Sequence, residues 1–271
     1  MNLSLLLNVH ENSPVVNDTI ESILNYATKD ILMLVDGVAW SQFESASYPV
    51  KTMCGFRHGC PKSPYRNMAL GLKMLVETYP ESDWFCYFEY DGLFASERFK
   101  ESLVAADNMN VWMLGCDGHI DDKEMPLVES MVGEKFKSYY YLLGCCLFFN
   151  RNFMQKLVEM QFFDRFLNLT NHFSEGYMPG YSGYDLSEHM YPSLCRHLGG
   201  NIGVFSSYDE HGMWHGSYRN FPVRWKPQIN PETEYFPESS IIHPLKEYDH
   251  PIRVSQREVR KCHATQQTLK L

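Results

Sequence analysis

Two carboxylates stand one residue apart where an apolar run ends: Trp84-Phe85-Cys86-Tyr87-Phe88 leads into Glu89-Tyr90-Asp91-Gly92. In an extended segment residues two apart share a side, so Glu89 and Asp91 point together and Tyr90 points away. Like charges at the mouth of a buried strand repel each other. A divalent cation held between them and a phosphate ligand relieves that repulsion. The chemistry this allows is a Mg²⁺ or Mn²⁺ site. The plainer alternative is a pair of solvated acids opening a loop, because the triplet is common. Asp36 closes another apolar run, where its carboxylate can accept hydrogen bonds from a ribose or a base; alternatively Asp36-Gly37 is an ordinary turn pair. Arg66 and Asn67 sit in the first turn of a predicted helix, opposite its apolar stripe. They are in reach of a nucleotide diphosphate, or else form a solvated face. Asn8, His10 and Glu11 end the first apolar run and can frame a base.

These residues need elements to carry them. Residues 3–9, 31–35, 84–88 and 111–114 are near-continuous apolar runs and predict buried strands, with a weaker one over 48–54. Between them lie helical patterns. Asp18-x-x-Glu21 reads as a capping box for a helix over 18–27. Ser63-Pro64 opens the clearest helix, with Tyr65, Met68, Ala69, Leu72, Leu75, Val76 and Tyr79 on one face and Pro80 as its stop. A helix over 96–106 turns Phe99, Leu103 and Ala106 inward. Strands alternating with helices imply an α/β fold with a mainly parallel sheet covered on both faces. Ligands of such sheets bind at the carboxyl ends of the strands, where the polar residues above collect. Further on, 139–149 reads as one strand, 153–160 as a short helix, and 185–198 as a helix that Pro192 should kink or break. From Ser206 the chain is rich in His, Pro, Tyr and Trp with weak periodicity, and predicts a loop-dominated covering.

Composition narrows the function. The chain has 271 residues, 44% hydrophobic and 14% aromatic, which suits a globular protein with a sizeable core. Its 24 Lys+Arg against 33 Asp+Glu give a net charge of −9, and no basic cluster stands out, which argues against nucleic acid. A metal can still bring an anionic ligand to an acidic site. No apolar run reaches the ~20 residues of a membrane span. The start lacks a basic leader and a cleavage site, so it reads as a first buried strand. The eight cysteines form no CxxC pair, and Cys86, Cys145 and Cys146 lie in apolar runs. Reduced thiols in a cytoplasmic protein are expected.

The ordered set resembles the nucleotide-sugar glycosyltransferases of the GT-A (Rossmann-like) fold. The matching pieces are the strand into Asn8-Val9-His10-Glu11-Asn12, the strand ending in Asp36, the helix start Tyr65-Arg66-Asn67-Met68-Ala69, and Glu89-Tyr90-Asp91 in the DXD position with Glu as its first acid. Residues 1–150 carry most of it. The resemblance implies a single domain over 1–271, with 1–118 as the nucleotide-binding half and 119–271 as the acceptor-binding half. It implies Mn²⁺ or Mg²⁺ on Glu89, Asp91 and a late histidine, His243, whose alternative is an ordinary His beside Pro. It implies nucleotide-sugar binding by Asn8, His10, Glu11, Asp36, Arg66, Asn67, Tyr90 and Lys246, and transfer to a carbohydrate acceptor. An acid at the start of a late helix would serve as base: Asp185, with Glu188 second, although Asp185-x-x-Glu188 is also a capping box. The stretch 209–218 mixes aromatic and titratable residues and could hold an acceptor or be a plain surface loop. His58, His172 and His197 read as ordinary histidines. Two other readings remain. A sugar-nucleotide nucleotidylyltransferase needs a Gly-rich basic loop after the first strand, and residues 8–14 have no glycine. A non-catalytic carbohydrate-binding protein would fit the variant first acid.

Overall fold

A computed structural model describes residues 1–36, 39–46, 48–56, 63–171, 185–205, 214–215, 221–224 and 227–268. Its first half runs β1 (Leu3–Val9), α1 (Pro14–Tyr26), β2 (Asp30–Val35), α2 (Trp40–Glu44), β3 (Lys51–Cys54), α3 (Ser63–Thr78), β4 (Trp84–Glu89), β5 (Leu93–Phe94), α4 (Phe99–Asn108) and β6 (Val111–Gly115). Then follow β7 (Gly118–Asp121), α5 (Pro126–Val132), β8 (Tyr139–Leu142), β9 (Cys146–Asn150), α6 (Arg151–Glu159), α7 (Phe162–Asn171) and α8 (Asp185–His197). The chain finishes with β10 (Asn201–Val204), β11 (Trp214–His215), β12 (Ile241–Ile242) and α9 (Pro251–Thr268). Among the described residues, eight strands make one sheet in the order β11-β10-β6-β9-β4-β1-β2-β3. Only β9 runs antiparallel to its neighbours, β4 and β6.

The unbroken apolar strands have a simple cause: successive side chains serve opposite cores. Leu5, Leu7, Val9, Met33, Val35, Cys86 and Phe88 pack with Val16, Ile20, Ile23, Phe99 and Leu103, on the α1 and α4 side. Leu6, Leu32, Leu34, Phe85 and Tyr87 pack with Leu72, Leu75, Phe153, Phe166 and Tyr191, on the α3 and α6–α8 side. The expected mainly parallel α/β sheet with helices on both faces is therefore present. Parallel register brings the carboxyl ends of β1, β2 and β4 to one edge, with Asn8 opposite both Leu34 and Glu89.

Several expectations need correction. Helix α1 begins four residues before Asp18, with Pro14 in its first turn, and Asp18 is a buried mid-helix residue instead of a cap. The stretch 139–149 is two strands in different sheets, since the turn over 143–145 sends β8 to pair with β7 and β9 into the main sheet. Pro192 does not break α8, whose Leu186, Met190, Tyr191, Leu194 and Cys195 lock it into the core. The C-terminal region is not loop-dominated to its end, because 18 residues form α9. Helices α5 and α7 add to the expected set. None of the described cysteines is in a disulfide. No described helix is long and apolar enough to cross a membrane.

Candidate metal and nucleotide site

The chain leaves β4 through a tight turn in which Gly92 N donates to Glu89 O at 3.0 Å. This turn, not strand alternation, brings Glu89 and Asp91 to one side. Gly92 is needed there: a Cβ would lie 2.3 Å from the buried Phe88 ring. The next residues, β5, pair antiparallel with β12, Leu93 opposite Ile242 and Phe94 opposite Ile241. That register delivers the residue after β12, His243, to the acids. Leu245 N donates to Asp91 O (2.7 Å), His243 N to Pro222 O (3.1 Å), and Arg224 N to His243 O (3.0 Å). His243 Nε2 lies 3.0 Å from Asp91 Oδ1 and 3.4 Å from Glu89 Oε2. One ligand atom from each of Glu89, Asp91 and His243 falls within 4.8 Å of the others.

The protons on His243 follow from its partners. Nδ1 is 2.7 Å from the Arg224 carbonyl oxygen, which only accepts, so Nδ1 carries hydrogen. Nε2 then either donates a second proton to Asp91 or presents its lone pair beside the two carboxylates. Burial alone would lower the His243 pKa, but Asp91 and Glu89 outweigh it and raise it well above the ordinary value. Cys145 adds little, because its own burial pushes that thiol up to about 12 and keeps it neutral near pH 7. Burial would raise the Asp91 pKa, but the hydrogen bond and charge of His243, helped by Lys246, hold it below the ordinary value. The donor set fits a divalent cation: two carboxylates and an imidazole whose other nitrogen is fixed by a backbone carbonyl, as metal-ligating histidines usually are.

The remaining candidates fall into neighbouring groups. Tyr90 is buried, and its ring meets His10 edge-on at 4.7 Å. Its hydroxyl hydrogen-bonds Glu11; burial first, then Asp91, Glu11 and Glu89, push its pKa far up, so it stays a neutral donor. Asn8 is buried in the strand edge, and its carbonyl accepts from Tyr90 N. Asp36 is buried at the end of β2, where its N–H donates to Val9 O. Arg66 and Asn67 are buried and do not form a solvated face. Asn67 Oδ1 accepts from Phe56 N at 2.7 Å, and the Arg66 guanidinium lies 4.0 Å from the Phe56 ring centre. Lys246 is exposed two residues past the cis peptide His243–Pro244. Glu188 is buried, its Oε1 accepting from Gly144 N at 2.6 Å. Asp185 begins α8, but its side chain lies outside the described residues, as do His58, His172 and all of 209–218 except the β11 backbone. His197 is the ordinary histidine expected, 3.6 Å from Glu134 and packed on Phe136.

Sequence reasoning gave Asp18 a capping role and missed its pairing with Arg253. Arg253 is wholly buried and bonds Asp18 Oδ2 at 2.7 Å across 235 positions of chain, which no local pattern signals.

No family model matches the chain, and no curated protein matches it. Solved structures similar to it include a glycosyltransferase involved in glycosylation of the major capsid of PBCV-1, at 10% identity over 96% of this chain and 100% of that one, TM-score 0.44. A cytidylyltransferase from Leptospira borgpetersenii serovar Hardjo-bovis matches at 11% identity over 98% and 96%, TM-score 0.42. Residues 1–349 of S. aureus TarS, in complex with UDP-GlcNAc, match at 11% identity over 81% of this chain and 59% of that one, TM-score 0.41.

Proposed function

We propose that the chain is a metal-dependent glycosyltransferase that moves a sugar from a UDP- or GDP-sugar to a carbohydrate hydroxyl. The observation that carries this reading is the convergence of Glu89, Asp91 and His243 at the carboxyl edge of a parallel sheet. In this reading the three hold Mn²⁺ or Mg²⁺, which when bound neutralises the charge that grows on the leaving diphosphate. Lys246, exposed beside Asp91, adds a cation for the same phosphates. Asp36, Asn8, His10 and Glu11 frame the nucleoside, with Tyr90 bracing His10 and Glu11. Arg66 and Asn67 hold the chain that leaves β3 against the same edge. In an inverting transfer the acceptor oxygen attacks the anomeric carbon, the bond from that carbon to the diphosphate breaks, and the acceptor proton passes to Asp185. Glu188 sits one turn further along α8 and ties that helix to the turn over 143–145, next to Cys145, whose carbonyl accepts from Glu89 N. Residues 1–118 would then bind the donor and 119–271 the acceptor.

A panel of UDP- and GDP-sugars with Mn²⁺ tests this. Donor hydrolysis or transfer by the parent, lost in Asp91→Ala, is the expected result. No nucleotide binding and no turnover by the parent would overturn it. Pyrophosphate release from a nucleoside triphosphate and a sugar phosphate would instead identify a nucleotidylyltransferase. Sugar binding without metal or turnover would identify a binding protein.

A further inference from the structure

Among the described residues the last helix packs Ile252 into the apolar cluster of Leu93, Ile242 and Leu245, and it hydrogen-bonds the metal-bearing segments through Arg253. Arg253, in the first turn of α9, is fully buried and spends its guanidinium on four groups. Nε donates to Leu245 O (2.9 Å), Nη1 to Asp18 Oδ2 (2.7 Å), and Nη2 to Gly92 O (3.1 Å) and Thr19 Oγ1 (3.2 Å). Leu245 follows His243 by two residues, and Gly92 follows Asp91 directly. One planar group therefore grips the two chain segments that carry Asp91 and His243. Thr19 repeats the hold from α1: its hydroxyl lies 2.6 Å from Tyr90 O and 2.9 Å from Gly92 O. Its single proton serves one carbonyl at a time while its oxygen accepts from Arg253.

The charge of Arg253 is matched at its far end. Asp18 is buried in α1 and takes Arg253 on one oxygen and Arg260 on the other, with Arg257 at 3.6 Å. Among the described residues Arg260 hydrogen-bonds Asp18 and lies near Tyr26, both in α1, so it serves the docking of α9 on α1. Arg253 does that and also holds the two ligand-bearing segments. A rigid five-donor fork suits this better than the single ammonium of Lys would.

We propose that Arg253, with Thr19, is a positioning residue that sets the separation of Asp91 and His243 and so the affinity of the site for its divalent cation. This rests on the metal-site reading above. Removing a group that orients a metal ligand typically costs about 10–100-fold in affinity. The experiment titrates Mn²⁺ alone into the full chain, reading free Mn²⁺ by electron paramagnetic resonance, for the parent, Asp91→Ala, Arg253→Gln, Thr19→Val and Arg260→Gln. Thermal midpoints are recorded in EDTA. The expected result is tight binding by the parent, none by Asp91→Ala, and a loss within that range for Arg253→Gln and Thr19→Val. Arg260→Gln should lower the midpoint yet keep the parent's affinity. If Arg253→Gln does not fold, Thr19→Val, which removes one hydroxyl, decides alone. Parent affinity in Thr19→Val or a folded Arg253→Gln would overturn the proposal. So would losses that merely track the midpoint, Arg260→Gln included. Failure of the parent to bind Mn²⁺, or undiminished binding by Asp91→Ala, would instead overturn the metal site itself.

Discussion

Asp91 and Glu89 are unequal partners. The Asp91 side chain is 6% exposed and directly bonded to His243, whereas Glu89 is 18% exposed and 0.4 Å further from the same nitrogen (3.4 against 3.0 Å). A buried carboxylate with one fixed partner has little freedom to be replaced by water. Asp91→Asn should therefore lower Mn²⁺ affinity by more than the ~100-fold upper range for second-layer changes, and Glu89→Gln by less. Equal losses in a titration of the two variants would contradict this ranking. Gly92 is constrained by space. Its added Cβ would lie 2.3 Å from a ring atom of Phe88, which is fully buried and packed on Phe94 with ring centres 4.7 Å apart. Gly92→Ala must then shift the turn that carries Asp91. It should cost about 1–3 kcal/mol, the usual size of an overpacked core, and weaken Mn²⁺ binding as well. Denaturant unfolding and metal titration read the two effects separately, and an unshifted midpoint would refute the packing argument.

At the scale of elements, legibility followed the kind of residue an element buries. Strands β1, β2, β4 and β6 were readable because both their faces are apolar. Residues 139–149 were read as one strand because β8 and β9 have the same apolar composition and only the turn around Gly144 separates them. Helix α9 was missed because Arg253, Gln256 and Arg260 lie on its buried face, so its helical spacing is written in polar residues. The acids of the site were visible as types at a strand end, and His243 by resemblance. The grip of Arg253 was not, because it joins α1 to α9 and depends on tertiary geometry alone. The start of α9 also contains a titrating group. His250 Nδ1 accepts from Ile252 N at 3.3 Å, and its Nε2–H donates to Ile229 O at 3.1 Å, an arrangement that needs neutral imidazole. Burial lowers its pKa. Below about 6.5, the ordinary histidine value, the unfolded chain takes up a proton that the folded chain refuses. Stability from this group is thus present at neutral pH and falls as pH drops from about 6.5 towards the lowered folded value. His250→Asn keeps a capping acceptor but does not titrate. Its stability should decline less steeply than the parent's across that window, measured by urea unfolding at a series of pH values. Parallel curves would remove His250 from the account.

For the whole molecule, charge and connectivity bear on the same question. The proposed site joins residues from 8 to 246, and α9 holds its metal-bearing segments against α1, so a ligand that bridges these parts binds the folded chain and not the unfolded one. Such a ligand at about 100 times its Kd stabilises by about 2.7 kcal/mol. For a chain of this size that is a rise in Tm of roughly 5–10 °C. The net charge of −9 works against an anionic ligand, and two carboxylates at the site do so at close range. UDP or GDP should therefore raise Tm only when Mn²⁺ or Mg²⁺ is present, and EDTA should abolish the rise. Higher salt in EDTA should not restore it, because screening at about 0.15 M acts beyond ~8 Å and leaves the short-range repulsion. Asp91→Ala, which lacks the more buried acid, should show no rise with either metal. A shift of the same size with UDP or GDP in EDTA would mean that the phosphates are held by Lys246, Arg66 or other cations alone, and the role given to Glu89, Asp91 and His243 would fall.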